Sequence, residues 1–153
     1  MILILVSNPF KSIDELCKKL GNDFGATFKQ LDEDFLLKNA GFFEESSNGN
    51  FVYTGSVIAG KMNAPATKVY LKESEETILN RIAKERKISV ENAKEIYDSK
   101  IKSEKERLTK YFGIELYNPE IYDLILKIDD LDNSGIINII EKFVAKRQGN
   151  KKK

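Results

Sequence analysis

Short apolar runs and amphipathic segments alternate along this chain. Residues 2–7 (Ile-Leu-Ile-Leu-Val-Ser) form a continuous apolar run closed by a polar residue, which is typical of a strand buried on both faces of a parallel sheet. Further strands are predicted over residues 51–54, 67–71 and 121–128, where β-branched, aromatic and aliphatic residues cluster.

The segment after the first strand is predicted to be a turn followed by a helix. Ser12 and Glu15 have the spacing of a capping box, in which the serine accepts a backbone N–H and the glutamate reaches back to the N-cap. The apolar positions that follow fall on one helical face, and Gly21 is the predicted C-terminal stop. Residues 22–50 are acidic and aromatic, and they predict short helices and a loop over 46–50.

A long helical pair and a closing helix complete the predicted elements. Ser74, followed by two acidic residues, predicts an N-cap, and Ser89 predicts the start of a longer helix that Gly113 ends. Residues 134–145 predict the final helix. Strands that alternate with helices indicate one α/β domain over residues 1–145, with a mainly parallel sheet flanked by helices.

The composition narrows the possible chemistry. Of the 153 residues, 41% are apolar and 32% are charged, which suits a globular protein with a buried core. With one cysteine and no histidine, the chain excludes intramolecular disulfides, Ser-His-Asp triads, Cys-His dyads and histidine-containing zinc sites. No apolar run is long enough to cross a membrane, and the first six residues do not form a signal peptide, so we expect a cytoplasmic protein without a membrane partner.

The chain is nearly neutral, with 25 basic and 24 acidic residues, but its end is basic. Residues 146–153 carry five positive charges and no negative charge. This pattern predicts a flexible, solubilising tail. The alternative is a weak electrostatic contact with RNA or another acidic partner.

Two segments bear on phosphate binding. Residues 7–12 (Ser-Asn-Pro-Phe-Lys-Ser) place Lys11 and Ser12 where a helix is predicted to begin, as a phosphate site requires. However, the glycines of a phosphate-binding loop are absent and Pro9 has no N–H, so a plain turn is the alternative. Residues 55–61 match Gly-x-x-x-x-Gly-Lys literally, but the next predicted strand follows too closely for the helix that such a loop needs. We therefore predict a turn there.

Charged residues on the long helical pair form a third candidate. Lys100, Glu104 and Arg107 have the spacing of one helical face. Lysine and arginine on a mobile helical pair suit phosphoryl transfer, because they stabilise charge on the transferred group. A solvated, salt-bridged helix surface would show the same pattern.

From residue 52 to the final helix, the chain resembles the archaeal cytidylate kinases, which are small nucleoside-monophosphate kinases of the P-loop fold. The resemblance covers roughly two thirds of the chain and is carried, in order, by residues 53–60 (Tyr-Thr-Gly-Ser-Val-Ile-Ala-Gly), 68–72 (Lys-Val-Tyr-Leu-Lys), 81–94, 103–107, 111–114 and 121–124. It implies a P-loop kinase-like parallel sheet with a helical lid over about 74–112.

The resemblance also implies an activity, namely phosphoryl transfer from ATP, with Mg²⁺, to CMP or dCMP. The site residues that it suggests are Lys100 and Arg107 as catalytic groups, Asn8, Lys11, Ser12, Arg81, Arg86 and Glu104 as nucleotide-binding groups, and Ser12 as a magnesium ligand.

The chain departs from this family at the positions that contact phosphate. The phosphate loop is reduced to residues 7–12, Ser56 and Lys100 stand where the family tends to have arginine, and residues 22–50 contain no arginine. A lysine keeps the charge but loses the two-pronged hydrogen bonding of arginine. We therefore expect the kinase activity to be weakened or lost. The alternative is a non-catalytic pseudokinase that binds a nucleotide, a protein or RNA on the same scaffold.

Overall fold

The computed structural model contains a five-stranded sheet, and it describes residues 1–39, 41–42, 49–63 and 65–151, with side chains up to residue 149. The strands are β1 (Ile2–Val6), β2 (Thr27–Lys29), β3 (Phe51–Thr54), β4 (Thr67–Lys72) and β5 (Leu124–Lys127). Their order is β2-β3-β1-β4-β5, and every neighbouring pair is parallel. The predicted α/β architecture with a parallel sheet is confirmed.

Helices cover both faces of the sheet. They are α1 (Asp14–Phe24), α2 (Glu33–Lys38), α3 (Ser56–Lys61), α4 (Glu75–Arg86), α5 (Val90–Phe112) and α6 (Asn133–Lys151), and a 3-10 turn spans Pro119–Ile121. Helices α1 and α6 pack on one face, and α2, α3 and the end of α5 pack on the other. Within the described residues, no helix is both long and apolar enough to span a membrane.

Strand β1 is central because it has partners on both edges and helices on both faces. Leu3 and Leu5 pack into the core under α1 and α6, whereas Ile2, Ile4 and Val6 pack into the core under α2, α3 and α5. All five residues of β1 are buried. The prediction that this apolar run forms a central parallel strand is confirmed, and β5 lies in the same sheet as predicted, although it begins only at Leu124.

The predicted limits of α1 are wrong at both ends. Ile13, not Ser12, is the N-cap, and it makes no side-chain capping bond. The helix continues through Gly21 and ends at Gly25, whose φ of 63° is left-handed. Gly21 meets a packing requirement instead, because a Cβ there would lie 2.9 Å from the carbonyl oxygen of Ala26.

The region 22–50 contains an edge strand that the sequence did not predict. Strand β2 has only three residues, and both of its terminal side chains are exposed, so it shows no apolar run. One short helix, α2, is present as predicted, with Asp32 as its N-cap. Residues 46–48 of the predicted loop lie outside the described residues.

Residues 56–61 form helix α3, not the predicted turn, although the prediction that no helix begins at Lys61 is confirmed. The helix begins at Ser56, inside the literal Gly-x-x-x-x-Gly-Lys match, and ends at Lys61. Gly55 precedes it with a φ of 124°, a backbone conformation that favours glycine. In a phosphate-binding loop the lysine stands where the helix starts, whereas here the helix occupies the loop positions and ends at Lys61, so this segment does not have the geometry of such a loop.

The helical pair α4–α5 begins and ends as predicted. The Ser74 and Ser89 side chains accept hydrogen bonds from the amides of Thr77 and Asn92, and Gly113 ends α5 with a φ of 66°. The closing helix α6 is longer than predicted, because it runs to Lys151. The basic segment 146–153 therefore begins as helix, and its flexibility stays a prediction.

Candidate functional site

A cleft of about 630 Å³ opens at the carboxyl ends of β1 and β3. In open α/β sheets of this kind, ligands bind beyond the carboxyl ends of the strands. The turn after β1 and the start of α1 form one wall of the cleft, Gly55 and Ser56 form another, and Arg86, Glu104 and Arg107 approach from the helical pair α4–α5.

The turn after β1 uses its own backbone donors. The amide of Phe10 donates to Oδ1 of Asn8 at 2.9 Å, and the amide of Lys11 donates to the carbonyl oxygen of Asn8 at 3.2 Å. Pro9 has no N–H. The Ser7 hydroxyl donates to the carbonyl oxygen of Lys11 at 2.9 Å and further fixes the turn. Two of the amides that a phosphate-binding loop would direct at a phosphate are therefore already bonded.

Glu73, at the end of β4, holds this turn against α4. Its side chain is 4% exposed, and it accepts two hydrogen bonds from Arg81, at 2.7 and 2.8 Å, and one from Asn8 at 2.8 Å. Nζ of Lys11 lies 4.0 Å from the same carboxylate. Burial acts to raise the pKa of Glu73, but the hydrogen bonds from Arg81 and Asn8 and the nearby positive charges outweigh it, so the pKa lies below its usual value.

Arg107 crosses the cleft from α5. Its guanidinium forms an ion pair with Glu33, the first residue of α2, and a second one with Glu104 on its own helix. Nζ of Lys100 lies 3.3 Å from Glu104, so these groups form a chain of ion pairs along one face of α5, as their spacing predicts. The contact with Glu33 joins α5 to α2 within the lining of the cleft.

The cleft carries more acidic than basic side chains. Its described lining contains the three cations Lys11, Arg86 and Arg107 and the four acidic residues Asp14, Glu33, Glu85 and Glu104. Two acidic residues, Asp14 and Glu15, occupy the first turn of α1, where the helix dipole favours negative charge. Of these two, Asp14 lines the cleft, so a carboxylate lies at a helix N-terminus that would otherwise favour an anionic ligand.

The cleft brings together five of the eight residues that the resemblance suggested: Lys11, Ser12, Arg86, Glu104 and Arg107. Asn8 and Arg81 instead bind Glu73, and Lys100 lies outside the lining. Sequence reasoning missed Glu33, Asp14 and Glu73. Glu33 meets Arg107 74 residues away, and Glu73 meets Asn8 65 residues away and Arg81 at a spacing of eight that lies across the end of a strand, so no helical spacing marks these contacts. Asp14 could have been found as a carboxylate in the first turn of α1.

The site fits a magnesium-bound triphosphate poorly. Ser12 is exposed and lines the cleft, so its hydroxyl is accessible to a ligand. The poor fit concerns the triphosphate, because the amides of Phe10 and Lys11 are already bonded and the carboxylate of Asp14 would repel a phosphate.

Comparison with known proteins finds weak similarity to archaeal cytidylate kinases, and no family model matches the chain. It is 28% identical to the cytidylate kinase of Staphylothermus marinus over 107 residues, which cover 68% of this chain and 59% of that enzyme. It is 25% identical to that of Methanocaldococcus jannaschii over 140 residues, which cover 85% of this chain and 77% of the relative. The chain thus spans about three fifths of the first of these enzymes.

Solved structures similar to this one are P-loop kinases and an uncharacterised protein. The uncharacterised protein, from Eubacterium ventriosum, has a TM-score of 0.71 at 18% identity and covers 95% of this chain and 99% of its own. The shikimate kinase of Bacteroides thetaiotaomicron has a TM-score of 0.59 at 10% identity and covers 94% of this chain and 98% of its own. These likenesses establish the fold class, which is that of the P-loop kinases.

Proposed function

We propose that this chain is a cytidylate kinase-like protein that binds a nucleotide in the cleft and transfers a phosphoryl group from ATP to CMP or dCMP slowly or not at all. The observation that carries the binding part is the meeting of Lys11, Arg86 and Arg107 in one cleft at the carboxyl ends of β1 and β3. The similarity to archaeal cytidylate kinases makes CMP and dCMP the first nucleotides to test.

The weak or absent transfer follows from the turn after β1. A phosphate-binding loop works because several free amides and a lysine surround the phosphates. Here the amides of Phe10 and Lys11 bond to Asn8, and Lys11 lies beside Glu73. Removing one positioned donor from an active site costs on the order of 10²–10³ in rate. The loss of several donors is therefore consistent with little remaining activity.

A coupled assay of ADP release with ATP and CMP or dCMP tests the transfer. We expect turnover far below the roughly 1–100 s⁻¹ that is typical of kinases. Calorimetric titration with CMP tests the binding, which Arg107→Ala should weaken. Lys110→Ala is the matched control, because Lys110 is an exposed cation on the same helix and does not line the cleft. Normal turnover would contradict the proposed loss, and failure to bind any nucleotide would contradict the binding.

The alternative function is a non-catalytic scaffold that binds a protein or RNA. The acidic lining of the cleft supports the loss of catalysis, and the basic segment 146–153 is the feature that would contact RNA. One cation of that segment is already paired, since Arg147 lies 2.7 Å from Asp123. RNA binding through this segment would weaken steeply with salt, whereas stacking and hydrogen bonding in the cleft would be less sensitive.

A further inference from the structure

A second pocket, of about 230 Å³, lies at the carboxyl end of β4, beneath α5. It shares Pro9 and Leu116 with the cleft, so the two cavities adjoin at these side chains. Its volume is below the roughly 300–1,000 Å³ of pockets that enclose a drug-sized ligand. The pocket therefore suits one ring system, and a larger ligand would extend into the cleft.

Three tyrosines from different elements line this pocket: Tyr70 from β4, Tyr97 from α5 and Tyr117 from the segment after α5. We call it the tyrosine pocket. The rings of Tyr70 and Tyr117 are 4.5 Å apart between centroids, and Phe10 stacks on Tyr97 at 5.7 Å. Because other rings support each of these tyrosines, their faces are fixed before any ligand arrives, which lowers the entropy cost of binding.

The tyrosine hydroxyls add hydrogen-bonding capacity. None of the three hydroxyls bonds to another group in the described part of the chain, and none is a buried atom without a partner, so water or a ligand can reach them. Burial raises the pKa of Tyr70 to about 12, and the neighbouring Tyr117 and Tyr97 add to this. The Tyr70 hydroxyl is therefore a neutral donor and acceptor at physiological pH.

The charges around the pocket select against a cation. Aromatic faces alone would accept a ligand cation. Here Lys72 and Lys105 line the pocket, and the one carboxylate, Glu73, is already held by Arg81 and Asn8. A neutral or negatively charged aromatic ligand is the better match.

We propose that the tyrosine pocket binds the base of a nucleotide whose phosphate lies in the cleft. Bases stack on aromatic side chains with little dependence on sequence, and basic residues beside such rings attract the phosphate-bearing ligand. Because the two cavities adjoin at Pro9 and Leu116, the proposal places the sugar of the nucleotide over these two side chains, between the base and the phosphate. This inference rests on the proposed function, because it takes the cleft to hold the phosphate.

Calorimetric titration of Tyr117→Leu with CMP, AMP, cytidine and pyrophosphate tests the inference. We expect Tyr117→Leu to raise the dissociation constants of CMP, AMP and cytidine about tenfold, which is the loss of one stacking partner. Pyrophosphate, which has no base, should bind unchanged. Tyr117→Phe should retain most of the affinity. Tyr111→Leu is the matched control, since Tyr111 is 54% exposed on α5 and does not line the pocket.

The outcomes separate this inference from the proposed function. Equal affinity of Tyr117→Leu and Tyr111→Leu for CMP would overturn the tyrosine pocket while leaving the cleft intact. Tyr117-dependent binding of cytidine without any binding of pyrophosphate would support the pocket and contradict the cleft. If Tyr117→Leu unfolds, nuclear Overhauser effects between base protons of CMP and the tyrosine rings of the wild-type protein replace it. Their absence at saturating CMP would overturn the inference.

Discussion

Two connections at the carboxyl edge of the sheet differ in opposite ways from what their sequences suggest. The connection after β1 has no glycine, yet it forms a wall of the cleft and brings Lys11 and Ser12 to it. The connection after β3 matches the phosphate-loop pattern literally, yet it is helix α3 and contributes only its first residues to the cleft. A phosphate-binding loop needs free amides ahead of its helix. For phosphate binding, the residue at which the helix begins therefore matters more than whether the sequence contains the glycines and lysine of the motif.

The two connections are also held by different forces. The first is held by polar contacts, through Asn8 and the buried carboxylate of Glu73. The second is held by apolar packing, because Val57, Ile58 and Ala59 are buried in the core beneath α5. Their responses to substitution and to pH should therefore differ.

The largest expected effect is the loss of stability caused by a substitution in the second connection, the one after β3. Ile58 is 1% exposed, so Ile58→Ala should lower the free energy of unfolding by about 2–5 kcal/mol, through lost burial and a cavity. Chemical denaturation measures this. Lys61→Ala, at the exposed lysine of the literal motif, should change stability by no more than about 0.5 kcal/mol. A small effect of Ile58→Ala would mean that α3 is not part of the core.

The next largest effect is a pH-dependent loss of stability caused by a substitution that releases the first connection, the one after β1. Glu73→Gln should cost about 1–3 kcal/mol at pH 7, because it leaves Arg81 without its charged partner. The pKa of Glu73 is lowered from the ordinary 4.5 on folding, so its contribution to stability is present above that value and is lost as the pH falls through the folded-state pKa. The wild type should therefore be more stable than Glu73→Gln at neutral pH, and this difference in stability should be lost at a pH below 4.5.

Denaturation of both proteins as a function of pH measures this difference. Glu76→Gln is the control, because Glu76 is an exposed acid in the first turn of α4 and its substitution should leave the pH profile close to that of the wild type. A constant difference between wild type and Glu73→Gln at all pH values would contradict the assigned role of the carboxylate.

The sheet and the helical pair could be predicted from the sequence because their signals are local. The all-buried run of β1, the serine caps at Ser74 and Ser89 and the stop at Gly113 each lie within a few residues of the structure that they specify. Strand β2 could not be predicted, because a three-residue edge strand takes its stability from pairing with β3 rather than from its own composition.

The electrostatics of the cleft could be predicted only in part. The shared face of Lys100, Glu104 and Arg107 follows from helical spacing. The pairing of Arg107 with Glu33 and of Arg81 with Glu73 depends on how α2 and β4 meet the helical pair. The sequence therefore identified Glu104, which pairs with Lys100 and Arg107, but not Glu33 or Glu73, which pair with Arg107 and Arg81.

A smaller effect, on the affinity for pyrophosphate, distinguishes Lys11 in the first connection from Lys61 in the second. Lys11→Ala should weaken pyrophosphate binding about tenfold, since it removes one cation from the lining of the cleft. Lys61→Ala, in the literal motif, should leave the dissociation constant unchanged because Lys61 does not line the cleft. Calorimetric titration measures both variants. The reverse order would show that the connection after β3 is the phosphate site.

The smallest effect concerns the carboxylate that faces the first connection across the cleft. Glu33→Gln removes the charge that pairs with Arg107 and frees this arginine for an anion. Both side chains are partly exposed, so the pair is worth only about 0.2–1 kcal/mol, and pyrophosphate should bind up to about fivefold more tightly. Asp34→Asn is the control, because it removes the same charge from the next, exposed position of α2 outside the lining. Equal gains in affinity in both variants would show that only the net charge of the protein matters. Weaker binding by Glu33→Gln would mean that Glu33 positions Arg107 for the ligand instead of competing with it.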